Sequence, residues 1–290
     1  MDPCLLRIML PAELKFNKHL SKRDDFLSQK FTTKGGLTMF EQIVEFIKEL
    51  LGLPVKEVNA FETYAFGKYP QTANGEPQSI EWYILERDHN NQRTLLLSKY
   101  LLDNGVFDTP TIPVGKDCDC DVFSTDTSDR TAIWNSSTIR SWLNGYEPRF
   151  NSFSKDFTHD NFIQKAFTKQ EQDLILPVDT TIEDGPKARC EDRIFFLSME
   201  EAAKYFPNRR SRIGRATPYA EQQRVNIEHG AAWWWLRSPG QDVTRTVCVD
   251  PNGNIFPMGS VTGLGQVGIR PAIWLKGIVG NKPSQTMNAE

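Results

Sequence analysis

The stretch "WWWLRSPG" at 233–240 sets three tryptophans in a row and closes them with Arg237, Ser238, Pro239 and Gly240. Burying even two such indoles stabilises a fold by several kcal/mol, at ~25 cal/mol per Å² of apolar surface. A second apolar anchor follows at 269–275, "IRPAIWL", which offers Ile269, Ile273 and Leu275 to the core. Pro271 cannot donate to a strand ladder, so it marks a strand start, a bulge or an edge. The two anchors are expected in neighbouring strands of the core sheet. Arg237 and Arg270 flank the interval and are placed to tie its ends to backbone carbonyls.

The interval itself is chemically mixed: "QDVTRTVCVDPNGNIFPMGSVTGLGQVG". "DPNG" at 250–253 reads as a turn, with Pro251 presetting φ and Gly253 supplying a positive φ. Alternation about that turn sends Val247, Val249 and Ile255 inward, and Thr246, Cys248, Asp250, Asn254 and Phe256 outward. Residues 259–267 carry few large apolar groups and read as loop. A rigid frame around a heterogeneous insert suits a display surface, and an exposed Phe256–Pro257–Met258 run fits either a partner contact or packing under a loop.

Upstream, residues 1–37 read as an arm. "TMFEQIVEFIKELLGLP" then gives an amphipathic helix, with Thr38 and Glu41 as a capping box and Gly52 and Pro54 as its stop. "YAFGKYP", "EWYILE" and "TLLLSK" read as strands, the latter two joined by a turn at "HNNQ". "WNSSTIRSWLNG" reads as a short helix capped by Ser136 or Ser137, with Ile139, Trp142 and Leu143 inward and Gly145 as stop. Thr168 with Glu171 and Ser198 with Glu201 form further capping boxes, the second after a strand in "RIFFL". Short strands are expected to predominate after residue 205. Without regular βαβ alternation, the order predicts α+β, with an amino-terminal arm and helix at 1–58 and one domain over 59–290.

A net charge of −3 and a pI near 5.9 give no footprint for nucleic acid. The arginines of "PNRRSRIGRA" (207–216) read as a solvated loop. No run reaches the ~18 apolar residues of a membrane span. The five cysteines (Cys4, Cys118, Cys120, Cys190 and Cys248) are scattered, without a CxxC pair. "DCDCD" at 117–121 reads as an acidic loop rather than a soft-metal site.

None of His19, His89, His159 and His229 has a ligand at helical metal spacing. Nucleophile-elbow, Walker and dinucleotide-binding motifs are absent from the sequence. "GLGQVG" (263–268) precedes a strand rather than a helix, and so lacks the amide-lined helix start that binds phosphate. The residues therefore predict no catalytic group, no metal and no cofactor.

Over about residues 61–276, "FGKYPQ", "IEWYILE", "TLLLSKYLLD", "WNSSTIRSWLN", "FTKQEQDLI", "WWLRSPG" and "GIRPAIWL" occur in the order of a bacterial family with a C-type-lectin-like fold. The chain resembles most the variable proteins of Treponema diversity-generating retroelements. The resemblance implies a lectin-like α+β scaffold with a short-stranded central sheet, flanking helices and a loop-rich carboxy-terminal display segment, variable over about 237–272. It implies ligand binding of the receptor or adhesin type, not catalysis. The implied ligand-contact residues are Asp242, Thr244, Arg245, Cys248, Asp250, Asn254, Phe256, Pro257, Met258, Thr262, Leu264 and Gln266.

The implied partner is a protein or cell-surface ligand, met by a monomer. The implied location is the cell surface or outer membrane, through a leader and lipid anchor, with a cytoplasmic location as the alternative. The fold is also similar to that of formylglycine-generating enzymes. A thiol oxidase of that kind is the alternative function, and it would need a second reactive sulfur within ~7 Å (Cα to Cα) of Cys248. A structural surface protein, with 242–266 mostly buried, is a third reading.

Overall fold

The computed structural model describes residues 61–108, 134–181, 190–242, 244–263 and 265–277. The helix expected at 38–51, the arm, His19, Cys4, the Cys118–Cys120 loop and Leu264 lie outside the described residues.

The described chain is α+β. Its strands are β1 (Thr63–Pro70), β2 (Pro77–Asp88), β3 (Arg93–Ser98), β4 (Asp103–Asn104), β5 (Ile175–Leu176), β6 (Val178–Asp179), β7 (Glu191–Asp192), β8 (Ile194–Phe195), β9 (Ile227–Glu228), β10 (Ala231–Ala232), β11 (Trp234–Pro239), β12 (Arg245–Val249), β13 (Ile255–Val261), β14 (Gly268–Ile269) and β15 (Ala272–Lys276). One sheet runs β1-β2-β3-β15-β5, with β8 also paired to β15; a second runs β13-β12-β11-β14-β4. Pairing is antiparallel throughout these two sheets except between β11 and β14, where Trp234 sits beside Gly268 in parallel.

The second anchor is thus divided. Ile269 ends β14 in one sheet, Ala272 begins β15 in the other, and Pro271 lies at the crossing with its carbonyl accepting from Ser98 N at 2.9 Å. Only its first half neighbours the tryptophans, which corrects the expectation of one shared sheet. A prolyl nitrogen without a proton fits a place where the ladder changes sheets. Ile269, Ile273 and Leu275 are all buried. They join Trp82, Trp134, Trp234 and Trp235 in one contiguous core cluster.

Local chemistry explains the helices. Ser137 caps Thr138–Asn144 by accepting from Arg140 N, and Gly145 closes it at φ 73°. Thr168–Glu171 and Ser198–Glu201 both form reciprocal capping boxes, on helices Lys169–Leu174 and Met199–Tyr205. Short strands predominate after residue 205, and the chain there also makes two short helices, Arg209–Arg212 and Pro218–Gln222, capped by Asn208 and Thr217.

Arg140 on the first helix is buried rather than solvated. Its Nε donates to both oxygens of Asp192 at 2.8 and 2.9 Å. The same carboxylate accepts from Trp134 Nε1 at 2.8 Å, from the Tyr146 hydroxyl at 2.9 Å and from the Thr180 hydroxyl. A charge taken out of water on both sides is tolerated only with this density of partners.

Candidate functional site

β12 is the second strand from the edge of its sheet, and Thr246, Val247, Cys248 and Val249 are all buried. The outward orientation expected for Thr246 and Cys248 is therefore corrected. A strand covered on both faces hides alternate side chains as thoroughly as the others. Cys248 is removed from the ligand-contact set, because its thiol points to the Ser260 hydroxyl at 3.3 Å and has no exposed surface.

Both neighbours of β12 bulge around one residue. Cys248 pairs with Phe256 and Thr246 with Ser260, so Pro257, Met258 and Gly259 face the single residue Val247. On the other side Cys248 pairs with Trp235 and Thr246 with Pro239, so Leu236, Arg237 and Ser238 face the same valine. Extra residues on one strand bend it away from the ladder. In β13 they turn Pro257 and Met258 to solvent next to the exposed Phe256, with Met258 53% exposed. Gly259 makes the return at φ 75°, where an added Cβ would stand 2.7 Å from the Thr246 carbonyl. This bulged strand runs through Val261, so the loop expected from residue 259 begins later.

The remaining expected contact residues divide by exposure. Asp242, Thr244 and Gln266 are exposed like Phe256, Pro257 and Met258, whereas Arg245, Asp250, Asn254 and Thr262 are half-buried. The half-buried ones brace the segment. Asp250 accepts from Asn254 N and Nδ2, both at 2.8 Å, and the Arg245 guanidinium reaches the Gly259 carbonyl at 3.1 Å and Asp242 at 3.2 Å. Hydrogen bonds from Thr244 hold the Asp242 carboxyl below the usual carboxylate range. Sequence reasoning missed Val261, which is exposed on the same strand, and Trp233, whose ring meets Phe256 edge-on at 6.2 Å. Trp233 carried a signal, being the first of three tryptophans of which two suffice for the core.

The frame beneath is tightly bonded. Trp234 Nε1 donates to the Arg212 carbonyl at 3.0 Å, and Trp235 Nε1 to Gly105 at 2.8 Å. Arg237 donates to the Phe196 carbonyl at 2.8 Å and pairs with Glu201, the capping-box acid of the Met199–Tyr205 helix. Arg270 donates to the carbonyls of Ser98 at 3.0 Å and Lys99 at 3.4 Å. Both arginines thus tie the ends of the interval, as their positions predict. At the "DPNG" turn, Gly253 takes φ 76° and an added Cβ would lie 1.8 Å from the Arg209 carbonyl, so the turn is seated on the backbone of the Arg209–Arg212 helix.

His89, His159 and His229 are exposed, and among the described residues no group of three His, Cys, Asp or Glu side chains is placed to hold a metal. Cys190 and Cys248 are buried, and burial pushes both thiols up from their ordinary pKa. A cavity of about 380 Å³ is lined by Arg93, Thr180, Glu191, Glu201, Arg237 and Trp274 among others, and meets none of the expected contact residues. Its two arginines already pair with Asp88 and Glu201. No helix among the described residues is long and apolar enough to cross a membrane.

Residues 91–277 match the family described as Domain of unknown function (DUF6273). The match spans more than half of the chain, and the chain belongs to this family. No curated protein and no solved structure matches it.

Proposed function

We propose that this chain is a ligand-binding protein of the receptor or adhesin type, presenting the face built on β13 from a C-type-lectin-like scaffold. The observation that carries the reading is the bulge opposite Val247. It holds Pro257 and Met258 in solvent beside Phe256 at a sheet edge, while Thr246, Val247, Cys248 and Val249 of the strand behind are buried. An apolar run exposed by backbone geometry, rather than by chance of composition, marks a contact surface. The edge is poorly suited to strand addition, because Pro257 has no N–H, Gly259 bends the strand, and the Met258 carbonyl already accepts from Gln241 N at 3.1 Å. Recognition is therefore through side chains, which can vary without altering the frame. That is the requirement a diversity-generating retroelement would place on its target.

The test is a displayed library of the full chain randomised at Gln241, Asp242, Thr244, Phe256, Met258, Val261 and Gln266. Most members should resist proteolysis, and selection against a panel of purified proteins should yield binders. Unfolding as frequent as in a library randomised at Trp234, Trp235, Val247 and Ile273 would sink the reading. In the genome, a neighbouring reverse transcriptase gene with a near-copy of the segment's coding sequence would establish the retroelement assignment. The thiol-oxidase alternative has less support among the described residues, since a nucleophilic sulfur needs exposure and thiolate character, and Cys190 and Cys248 have neither.

A further inference from the structure

The connection from β13 to β14 has to pass β12 and β11, because β14 lies on their far side in the sheet. Segment 104–108, which begins in the edge strand β4, receives it. Phe107 N and Asp108 N donate to the Thr262 carbonyl at 2.9 and 3.2 Å, and Gly105 N donates to the Val267 carbonyl at 3.3 Å. Asn226 N donates to the Gln266 carbonyl at 3.0 Å. Each of these bonds takes a main-chain oxygen of the connection, so none depends on which side chain stands at 262 or 266.

Asn104 adds a side chain to this arrangement. Its Nδ2 donates to the Gly265 and Gln223 carbonyls, both at 2.7 Å, and so bridges the connection to the end of the Pro218–Gln222 helix. Two carbonyl oxygens at that distance demand a nitrogen, since an oxygen turned toward them would be repelled by both. The carboxamide keeps this sense although its Oδ1 is buried and has no hydrogen-bond partner among the described residues. An unpaired buried acceptor costs stability, so the two donations outweigh it. The base of the bridge is firm. Asn104 pairs with Gly268 in the sheet, and Asp103 accepts from Asn104 N at 2.8 Å and from the Tyr69 hydroxyl of β1 at 2.6 Å.

We propose, resting on the display reading, that Asn104 is a positioning residue for ligand binding. It stands 161 positions before Gly265, outside the display segment, yet it sets the main-chain course from which Thr262 and Gln266 are presented. Ligands that engage those two side chains depend on it. Ligands seated on Phe256 and Met258 do not, because β13 is held by its pairing with β12. A backbone ordered before binding spares the entropy of ordering it on contact.

The experiment selects two libraries of the full chain, one randomised at Thr262 and Gln266 and one at Phe256 and Met258, against a panel of purified proteins. Winners of each are remade with Asn104→Ala, and with Asn104→Leu, which keeps the side-chain volume but lacks the donor. Circular dichroism checks folding. Loss of the two bonds should weaken the 262/266 binders about tenfold and leave the 256/258 binders within about twofold. In the unselected chain, hydrogen exchange at the amides of Gly105 and Asn226 should quicken about tenfold in both variants, with β11 and β12 unchanged. Asn104→Leu binding like the parent would make the side chain a filler. Equal losses in both libraries, or failure of both variants to fold, would make it a general brace. Either result, an absence of loss in both libraries, or binders from the 256/258 library alone overturns this inference and leaves the display reading standing. Two libraries without a binder overturn the display reading and this inference with it.

Discussion

The Arg270 guanidinium lies 4.8 Å from the centre of the Trp234 ring, both side chains fully buried. No carboxylate among the described residues pairs with this cation, and burial lowers its pKa to about 10. It is held by the Ser98 and Lys99 carbonyls and by the faces of Trp234 and Phe206. The start of the tryptophan strand and the crossing at Pro271 are thereby joined by one side chain.

Arg270→Ala should therefore destabilise the protein by roughly 3 kcal/mol or more, since it opens a cavity under Trp234 and strips two buried carbonyls of their donor. Arg270→Met should recover the packing part and not the carbonyl part. Urea unfolding of both variants checks the order, which fails if alanine is tolerated as well as methionine.

Trp234→Ala or Trp235→Ala should cost ~3–5 kcal/mol, the range for a fully buried aromatic. Asp242, Thr244, Met258 and Gln266 replaced singly should each stay within ~0.5 kcal/mol. Thermal unfolding separates the two groups. A surface set as damaging as either tryptophan would place the segment in the core.

Asp192→Ala should lose ~3–5 kcal/mol because it leaves Arg140 charged, buried and unpaired. An Asp192→Leu/Arg140→Met double variant should lie closer to wild type than Asp192→Ala alone. A double variant that loses the sum of the two single losses would show that the pair is not coupled.

Stability should fall in alkali. Burial raises the pKa of Tyr69, of Tyr146, and of Tyr205, the last to about 12, above the ordinary value near 10. Folded-state values above unfolded ones give stability that is complete below about pH 10. It is then lost as pH rises through the folded values, beginning with Tyr205. Arg270 and Arg212, with depressed pKa values, oppose this, as two groups against three. Phenolate absorbance should rise together with loss of circular dichroism, and phenolate appearing well before unfolding would refute the linkage.

Much of the frame was legible because it rests on local rules. The capping residues Ser137, Thr168 and Ser198, the stop at Gly145, the turn at Gly253 and the strands around "HNNQ" each follow from residues a few positions apart, and all appear where those rules place them. The bulk of the tryptophans was enough to announce the core. Arg237 and Arg270 were legible as ties, because long cations beside apolar anchors need carbonyls when buried.

What the tertiary structure alone decided is which side of β12 meets water. Alternation assigns Thr246 and Cys248 outward, but a strand with neighbours on both edges and cover on both faces buries them. The bulges opposite Val247 depend on register between strands, which no single strand encodes. Nor does the segment 207–216 reveal its neighbour, because the contact between Arg209 and Asn254 spans 45 positions of chain. Sequence determines the periodicities, caps and turns that act over a few residues. Burial on both faces, register and the meeting of distant charges arise only when the chain has packed.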